Sequence, residues 1–498
     1  MARPSDLDIT DQLKATLETD VFLRAPQMAR LLEYLVKEEL AGRGRALKGY
    51  SVGVDALGKP VDFDPSKDAS VRVEMRRLRN LLAEINAADV TIMIDVPKGS
   101  YRPRFSEKKP AHAVEPSRDS HELGLYIAAE ASEEVTQRFM LRLQEELFRY
   151  REFRVIRGLY RDEPETTAGY NVRCRVEDRT DELCATVSVE DLESRRIVGL
   201  KEISMARGQG ADAQLVSSLA TEVAQALAMP AGLLPLATLQ KRFSVPDQEW
   251  TTIDCILRWH LYRLRERTLA DHARLKTQTE RWIKTQPMFT AGYVILALLM
   301  IDEVVYHQFT GAPDQNALQR AEMLAQEAIA LDRDWAMSHY VRAQALFFQG
   351  KLQEFQLAID RAIQLHPTNP DLVHHAGAFL YLSGDVRRGE KLMDQAAMQD
   401  NPGIGYRLGY LMRSYVEGEF MSGLRLFEST VVPRQFTLGQ LVGALLYFAV
   451  GDLQSARKHL DRALGTGSEA TLRLTVALWF KDASMRARAE QALAEMVG

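Results

Sequence analysis

AMSHYVRAQALFFQGKLQEFQLAIDRAIQLHPTNPDLVHHAGAFLYLSGDVRRGEKLMDQAAMQDNP, residues 336–402, carries one set of small-residue signals twice. Gly350 and Gly384 stand 34 residues apart, each between two stretches with apolar residues at helical spacing; Gly418 follows 34 later and Gly451 33 after that. Ala328, Ala362 and Ala396 keep the same interval in the second stretch of each pair, and Pro367 and Pro402 close it. Glycine permits a tight turn between two helices, and alanine lets them approach closely. A helical pair of this length buries its apolar face only by stacking on the next pair.

A 34-residue helix–turn–helix period resembles the tetratricopeptide repeat. The side chains depart from that family: His339 and Val373 stand where it has Trp, and Phe355 and Gly389 where it has Ala. Upstream, 252–287 and 291–332 read as two more hairpins, the second with a long loop around Gly311-Ala312-Pro313. The resemblance implies a superhelix of about five to seven hairpins over residues 236–498. Tyr340, Phe347, Phe348, Tyr381 and Tyr415 fall on the first helices of the pairs. Core packing is their leading reading. Positions 340, 347 and 348 align with the concave side in the repeat family, which leaves a groove for a peptide or small ligand as the alternative.

Composition sets the frame for the rest. The chain has 498 residues, 46% apolar and 26% charged, a balance that supports several cores and about three domains. Cys174, Cys184 and Cys255 follow no disulfide or metal-ligand spacing, which points to a reducing, cytoplasmic setting. The start MARPSDLDIT lacks a signal peptide's apolar core, and Tyr293–Ile301 is too short to span a bilayer. No membrane segment is expected.

Between the polar stretch EKKPAHAVEPSRDSH (107–121) and the Pro/Gly-rich 229–246 lies a segment that reads as α/β. LGLYIAA (123–129) and FRVIRG (153–158) are strand-like and flank an amphipathic helix, 133–150. Residues 169–178, 182–192 and 195–204 alternate apolar and polar at period two, the mark of half-buried strands. A helix over 213–227 closes the segment. This order, with EELFRYREFRVIRG, resembles the N-terminal-domain family of TolB, found also in bacterial regulators with tetratricopeptide tails. It carries no catalytic residue.

Residues 1–109 read as three helices (25–41, 49–57 and 71–85, the last capped by Ser66 or Asp68) and a hairpin of strands 90–96 and 100–105 around Pro97-Lys98-Gly99. At about 100° per residue, Val71, Met75, Leu78 and Leu82 form one narrow stripe that packs on a core. Val73, Arg76, Arg77 and Asn80 lie opposite, with Arg72 and Arg79 on one flank. Residues 67–109 hold 10 Lys/Arg against 6 Asp/Glu, although the whole chain is at −5. Such a concentration suits a DNA footprint.

VRVEMRRLRNLLAEI…VTIMIDVPKGSYRPRF resembles the end of the OmpR/PhoB-type winged-helix family, including ToxR-like and CadC-like regulators, on Leu78-Arg79 and Gly99-Ser100-Tyr101-Arg102. FLRAPQMARLLEYLVKEELAGRG…KGYSVGVDALG is more similar to the N-terminal domain of tetratricopeptide-containing regulators. The family places the helix in the major groove and the wing on backbone or minor groove. Arg76, Arg77 and Asn80 are then expected to read base edges. Arg72 and Arg79 would contact phosphate, Lys98 and Arg102 would serve the wing, and Tyr101 would pack beneath it.

The fold expectation is a mostly α, multidomain chain: winged helix-turn-helix (1–109), linker (110–121), small α/β domain (122–235) and an α-solenoid of tetratricopeptide-like hairpins (236–498). The expected partners are double-stranded DNA and a protein bound through the repeats. The family's paired half-sites imply a homodimer, with the α/β domain as a candidate surface. Gly208-Gln209-Gly210 lacks the Lys and Ser/Thr of a phosphate loop, and no nucleophile elbow or H-E-x-x-H occurs. His339, His374 and His375 have no ligand cluster around them. No enzyme, cofactor or metal is expected. The rival reading is a tetratricopeptide interaction scaffold without specific DNA binding.

Overall fold

The computed structural model describes residues 6–19, 22, 25–64, 70–87, 92–97, 100–107, 123–129, 133–157, 169–207, 212–243, 245–264, 267–306, 316–396, 404–434, 436–465 and 468–497. It is mostly helical with one small mixed sheet and a solenoid-like run of helices. The chain divides into two compact units, 1–117 and 118–498. The cut falls in the polar stretch 110–121, which lies outside the described residues.

The first unit contains α1 (Asp6–Leu17), α2 (Pro26–Leu40), a short helical turn over Gly49–Ser51 and Val52–Ala56, α3 (Ser70–Ala87), and the antiparallel strands β1 (Ile92–Asp95) and β2 (Arg104–Glu107). Pro26 opens α2, where a missing N–H has no partner to lose. Met28, Leu31, Leu32, Leu35 and Val36 of α2 share one core with Val71, Met75, Leu78 and Leu82 of α3. The expected stripe on 71–82 is therefore buried throughout. Two corrections apply. The sequence reading missed α1, which adds Ile9 and Leu13 to that core and whose Gln12 side chain accepts a hydrogen bond from Ile92 N at 3.3 Å. The second strand begins at Arg104, not at 100: Pro103 has no N–H for a ladder, and the carbonyl of Ser100 accepts from Arg79. The proposed caps Ser66 and Asp68 lie outside the described residues.

The second unit begins with a five-stranded sheet, order β4-β3-β5-β6-β7, of β3 (Leu123–Ala129), β4 (Phe153–Arg157), β5 (Tyr170–Asp178), β6 (Glu182–Asp191) and β7 (Arg196–Ala206). The first three strands pair in parallel and the last three form an antiparallel meander. Val172, Cys174, Val187 and Val189 point to one face and meet Phe139 and Leu143 of α4 (Glu134–Leu147) and Leu219 and Val223 of α5 (Asp212–Ala228). The three cysteines are buried and form no disulfide. The span Asp212–Arg242 is long and apolar enough to cross a bilayer, but 56% of its apolar window is buried in the fold. It is broken between α5 and α6 (Leu233–Arg242).

Seven antiparallel hairpins follow among the described residues: α7 (Thr252–Leu264) and α8 (Leu269–Thr285), α9 (Thr290–Val305) and α10 (Ala317–Leu331), α11 (Ala336–Gln349) and α12 (Leu352–Leu365), α13 (Pro370–Leu382) and α14 (Val386–Ala396), α15 (Ile404–Glu417) and α16 (Phe420–Glu428), α17 (Thr437–Ala449) and α18 (Leu453–Leu464), α19 (Glu469–Trp479) and α20 (Ala483–Val497). The four periodic glycines terminate first helices with φ of +78° (Gly350), +101° (Gly384), +81° (Gly418) and +83° (Gly451). This left-handed backbone strains any residue with a Cβ, which is the physical origin of the 34-residue signal. Ala328, Ala362 and Ala396 are buried where the helices pack. The array also closes on itself: the N–H groups of Lys481 and Asp482 both donate to the carbonyl of Leu382, at 2.9 and 3.0 Å.

Sheet layer and helical array share one seam. Gln225 donates to the carbonyl of Thr368 at 2.7 Å, and the Thr368 hydroxyl donates to Glu146 at 2.6 Å. Arg151 pairs with Asp332 at 3.1 Å. Helix α6 bridges the boundary expected at 235, since Thr238 meets the Tyr170 hydroxyl and Arg242 forks onto Asp254.

Burial at this seam makes the unit acid-sensitive. The imidazoles of His260 and His366 are pushed down to about 3 by desolvation, so both are neutral in the fold, while an unfolded chain protonates them near pH 6.5. Their contribution is full above that pH and is lost as pH falls from about 6.5 towards 3. Glu152, 3.7 Å from His260, is pushed up to about 6 by burial and offsets part of the loss, because its buried charge disappears in the same range. The net expectation is a loss on the order of 2 kcal/mol between about pH 7.5 and about pH 5. Calorimetry on wild type and His366→Asn checks it: the variant should show the shallower dependence, and equal slopes would refute the assignment.

Candidate nucleic-acid interface

Helix α3 has two faces because its apolar residues recur at three and four. Val71, Met75, Leu78 and Leu82 are at most 2% exposed. On the other side Arg72 is exposed and Val73, Arg76, Arg77 and Asn80 are half-buried. Glu74 is 3.9 Å from Arg77, a loose pair of small energetic weight. Among the described residues, the helix therefore gathers Arg72, Arg76, Arg77 and Asn80 on one side.

Arg79 does different work from that expected. Its Nε donates to the carbonyl of Val96 at 2.6 Å, and its Nη2 to those of Pro97 and Ser100 at 3.3 and 2.9 Å. Burial pushes this guanidinium below its ordinary value, yet an arginine stays charged. The planar fork thus holds three loop carbonyls and clamps the hairpin to α3. The expected phosphate contact is replaced by a brace.

Arg102 also has a partner inside the fold. Its Nε and Nη2 each donate at 2.7 Å to the two oxygens of Glu39, a side chain otherwise buried on α2. That pairing holds the guanidinium above its usual value, and Gly44 leaves no room for a Cβ beside the Glu39 carboxylate. The fork fixes where the returning strand begins, so the wing role expected of Arg102 gives way to a tie. Arg104, which the sequence reading did not single out, is the exposed cation at the start of β2, in register with exposed Asp95. Strand parity alone could not choose between 102 and 104. Tyr101 packs against the core as expected. Lys98, with Gly99, lies outside the described residues.

The aromatic positions of the array divide. Phe347 is fully buried among Phe348, Phe355 and Phe379, with ring centroids 4.8–5.4 Å away. Tyr381 and Tyr415 are buried too, their hydroxyls donating to Glu417 and to the carbonyl of Arg488. These three are core, not groove. Tyr340 and Phe348 are buried but line a cleft inside the array. His339 bonds the carbonyl of Arg333 and His375 that of Asp371. Among the described residues no group of three His, Cys, Asp or Glu is placed to hold a metal ion. No protein-family model matches the chain, and no curated protein matches its sequence.

Proposed function

We propose that this chain is a cytoplasmic DNA-binding transcriptional regulator that catalyses no reaction. Its first unit is a winged helix of the OmpR/PhoB type, and its second joins a TolB N-terminal-like domain to tetratricopeptide-like repeats that bind a partner, an effector or a second protomer. The observation that carries the reading is α3, whose apolar stripe is sealed in the core while Arg72, Arg76, Arg77 and Asn80 share the other side. A helix with Arg and Asn outward fits the major groove, where Arg forks onto guanine and Asn onto adenine. Arg79 supports the reading in a new way, since it sets the hairpin's angle to the helix.

The test is retention of genomic fragments by the full chain across a salt series. Affinity should fall steeply with salt, because arginine–phosphate contacts release counterions. Arg72→Ala should lower affinity for all fragments alike and reduce the salt slope by about 1, whereas Arg76→Ala should cost about 1–3 kcal/mol at the preferred site and relax its sequence. Equal retention of every fragment, or none at low salt, would select the rival scaffold reading, which the acidic net charge of −5 favours.

A further inference from the structure

The cleft inside the helical array combines features that the packing of the repeats does not explain. It has a volume of about 90 Å³, room for roughly six to nine water-sized groups at about 10–15 Å³ each. Its walls come from hairpins far apart in sequence, from Trp259 and Arg263 on α7 to Trp479 on α19. Tyr340 and Phe348 complete an aromatic lining.

Two cations reach this lining. Arg267 is engaged: it pairs with Asp302 at 3.0 Å, and the second oxygen of Asp302 accepts from the Tyr262 hydroxyl at 3.0 Å. Arg263 has no ion pair among the described residues; its guanidinium lies over the Trp259 ring, 5.1 Å from the centroid. Trp479, 8% exposed, adds its indole ring to the wall, with its N–H buried away from the open space. Arginine is a donor without acceptor capacity. A guanidinium beside apolar walls with no ion pair favours an acceptor-rich, negatively charged partner.

We infer that the cleft binds a small aromatic carboxylate of about benzoate size, its carboxylate on Arg263 and its ring among Trp259, Tyr340, Phe348 and Trp479. This deepens the effector role given to the second unit. It is tested without DNA, so its failure leaves the DNA-binding reading untouched.

The full chain is titrated with benzoate, phenylacetate, phenyl phosphate and the neutral benzamide, by calorimetry and tryptophan fluorescence. Benzoate or phenylacetate should bind saturably and at least about 10-fold more tightly than benzamide, as a charge-assisted contact requires. Arg263→Gln should abolish that preference at an unchanged Tm. Arg263→Lys, which keeps the charge but loses the planar fork, should weaken carboxylate binding several-fold and serves if the first variant misfolds. Equal binding of benzamide, undiminished binding in either folded variant, or saturation by phenyl phosphate alone overturns the proposal. So does the absence of saturable carboxylate binding up to about 10 mM, weaker than any useful affinity.

Discussion

A chain carrying Gly389→Val should lose about 3 kcal/mol of stability, the upper end for forcing bulk into a packed interior. Helices α13 and α14 touch backbone to backbone here. A Cβ at 389 would lie 2.6 Å from Tyr381 N and 2.7 Å from Gly377 O, and a Cβ at 377 would lie 2.8 Å from Gly389 O. Backbone cannot swing aside as a flexible side chain can, so the helices must part and the neighbouring hairpins with them. Gly350→Ala is the contrast. Its Cβ would meet nothing within 4 Å, so only the left-handed conformation is penalised, by about 1–2 kcal/mol. Calorimetric melting of both variants checks the ranking, and a Gly389→Val chain that melts like wild type would rule out the close approach.

The second large effect concerns a substitution that leaves charge unchanged. Arg79→Lys should destabilise the first unit by about 2 kcal/mol, because one ammonium cannot reach three carbonyls spread over residues 96–100. DNA affinity should fall with it, across all fragments, as the hairpin loses its fixed angle to α3. Were Arg79 a phosphate contact, lysine would substitute well, since it too is a phosphate binder. Denaturant unfolding and fragment retention on the same preparation separate the two. Normal stability together with normal retention would end the brace assignment.

The sequence was most legible where periodicity is imposed by burial or by backbone strain. Strands 170–178 and 182–191 alternate because one face is covered by α4 and α5. Strand 196–206 corrects the expectation of a third half-buried strand, since Ile203 alone is buried and Ile197 and Leu200 are exposed. The glycine interval is visible because four turns need positive φ. The stripe on α3 followed from helical geometry. Helix α1 was hidden because its buried positions, Ile9, Gln12, Leu13 and Thr16, include two polar residues that blur the pattern. The fates of Arg79 and Arg102 were illegible for a different reason. Seventeen residues separate Arg79 from Val96, and 63 separate Arg102 from Glu39, so nothing local distinguishes a guanidinium bound to the fold from one turned to solvent. For the array aromatics the leading reading, core packing, holds, since all five are at most 5% exposed; repeat register did not say that Tyr340 and Phe348 also line a cleft.

The two backbone hydrogen bonds from Lys481 and Asp482 to Leu382, with Trp479 stacked on Phe379, have a dynamic consequence. An open stack of repeats frays from its last member, because each repeat leans only on its neighbours. Here the terminal hairpin is stapled to a helix about a hundred residues earlier, so it cannot peel away alone. Backbone amides of 372–382 and 472–479 should exchange their hydrogens as one cooperative block, making the end of the array among its slowest regions to open.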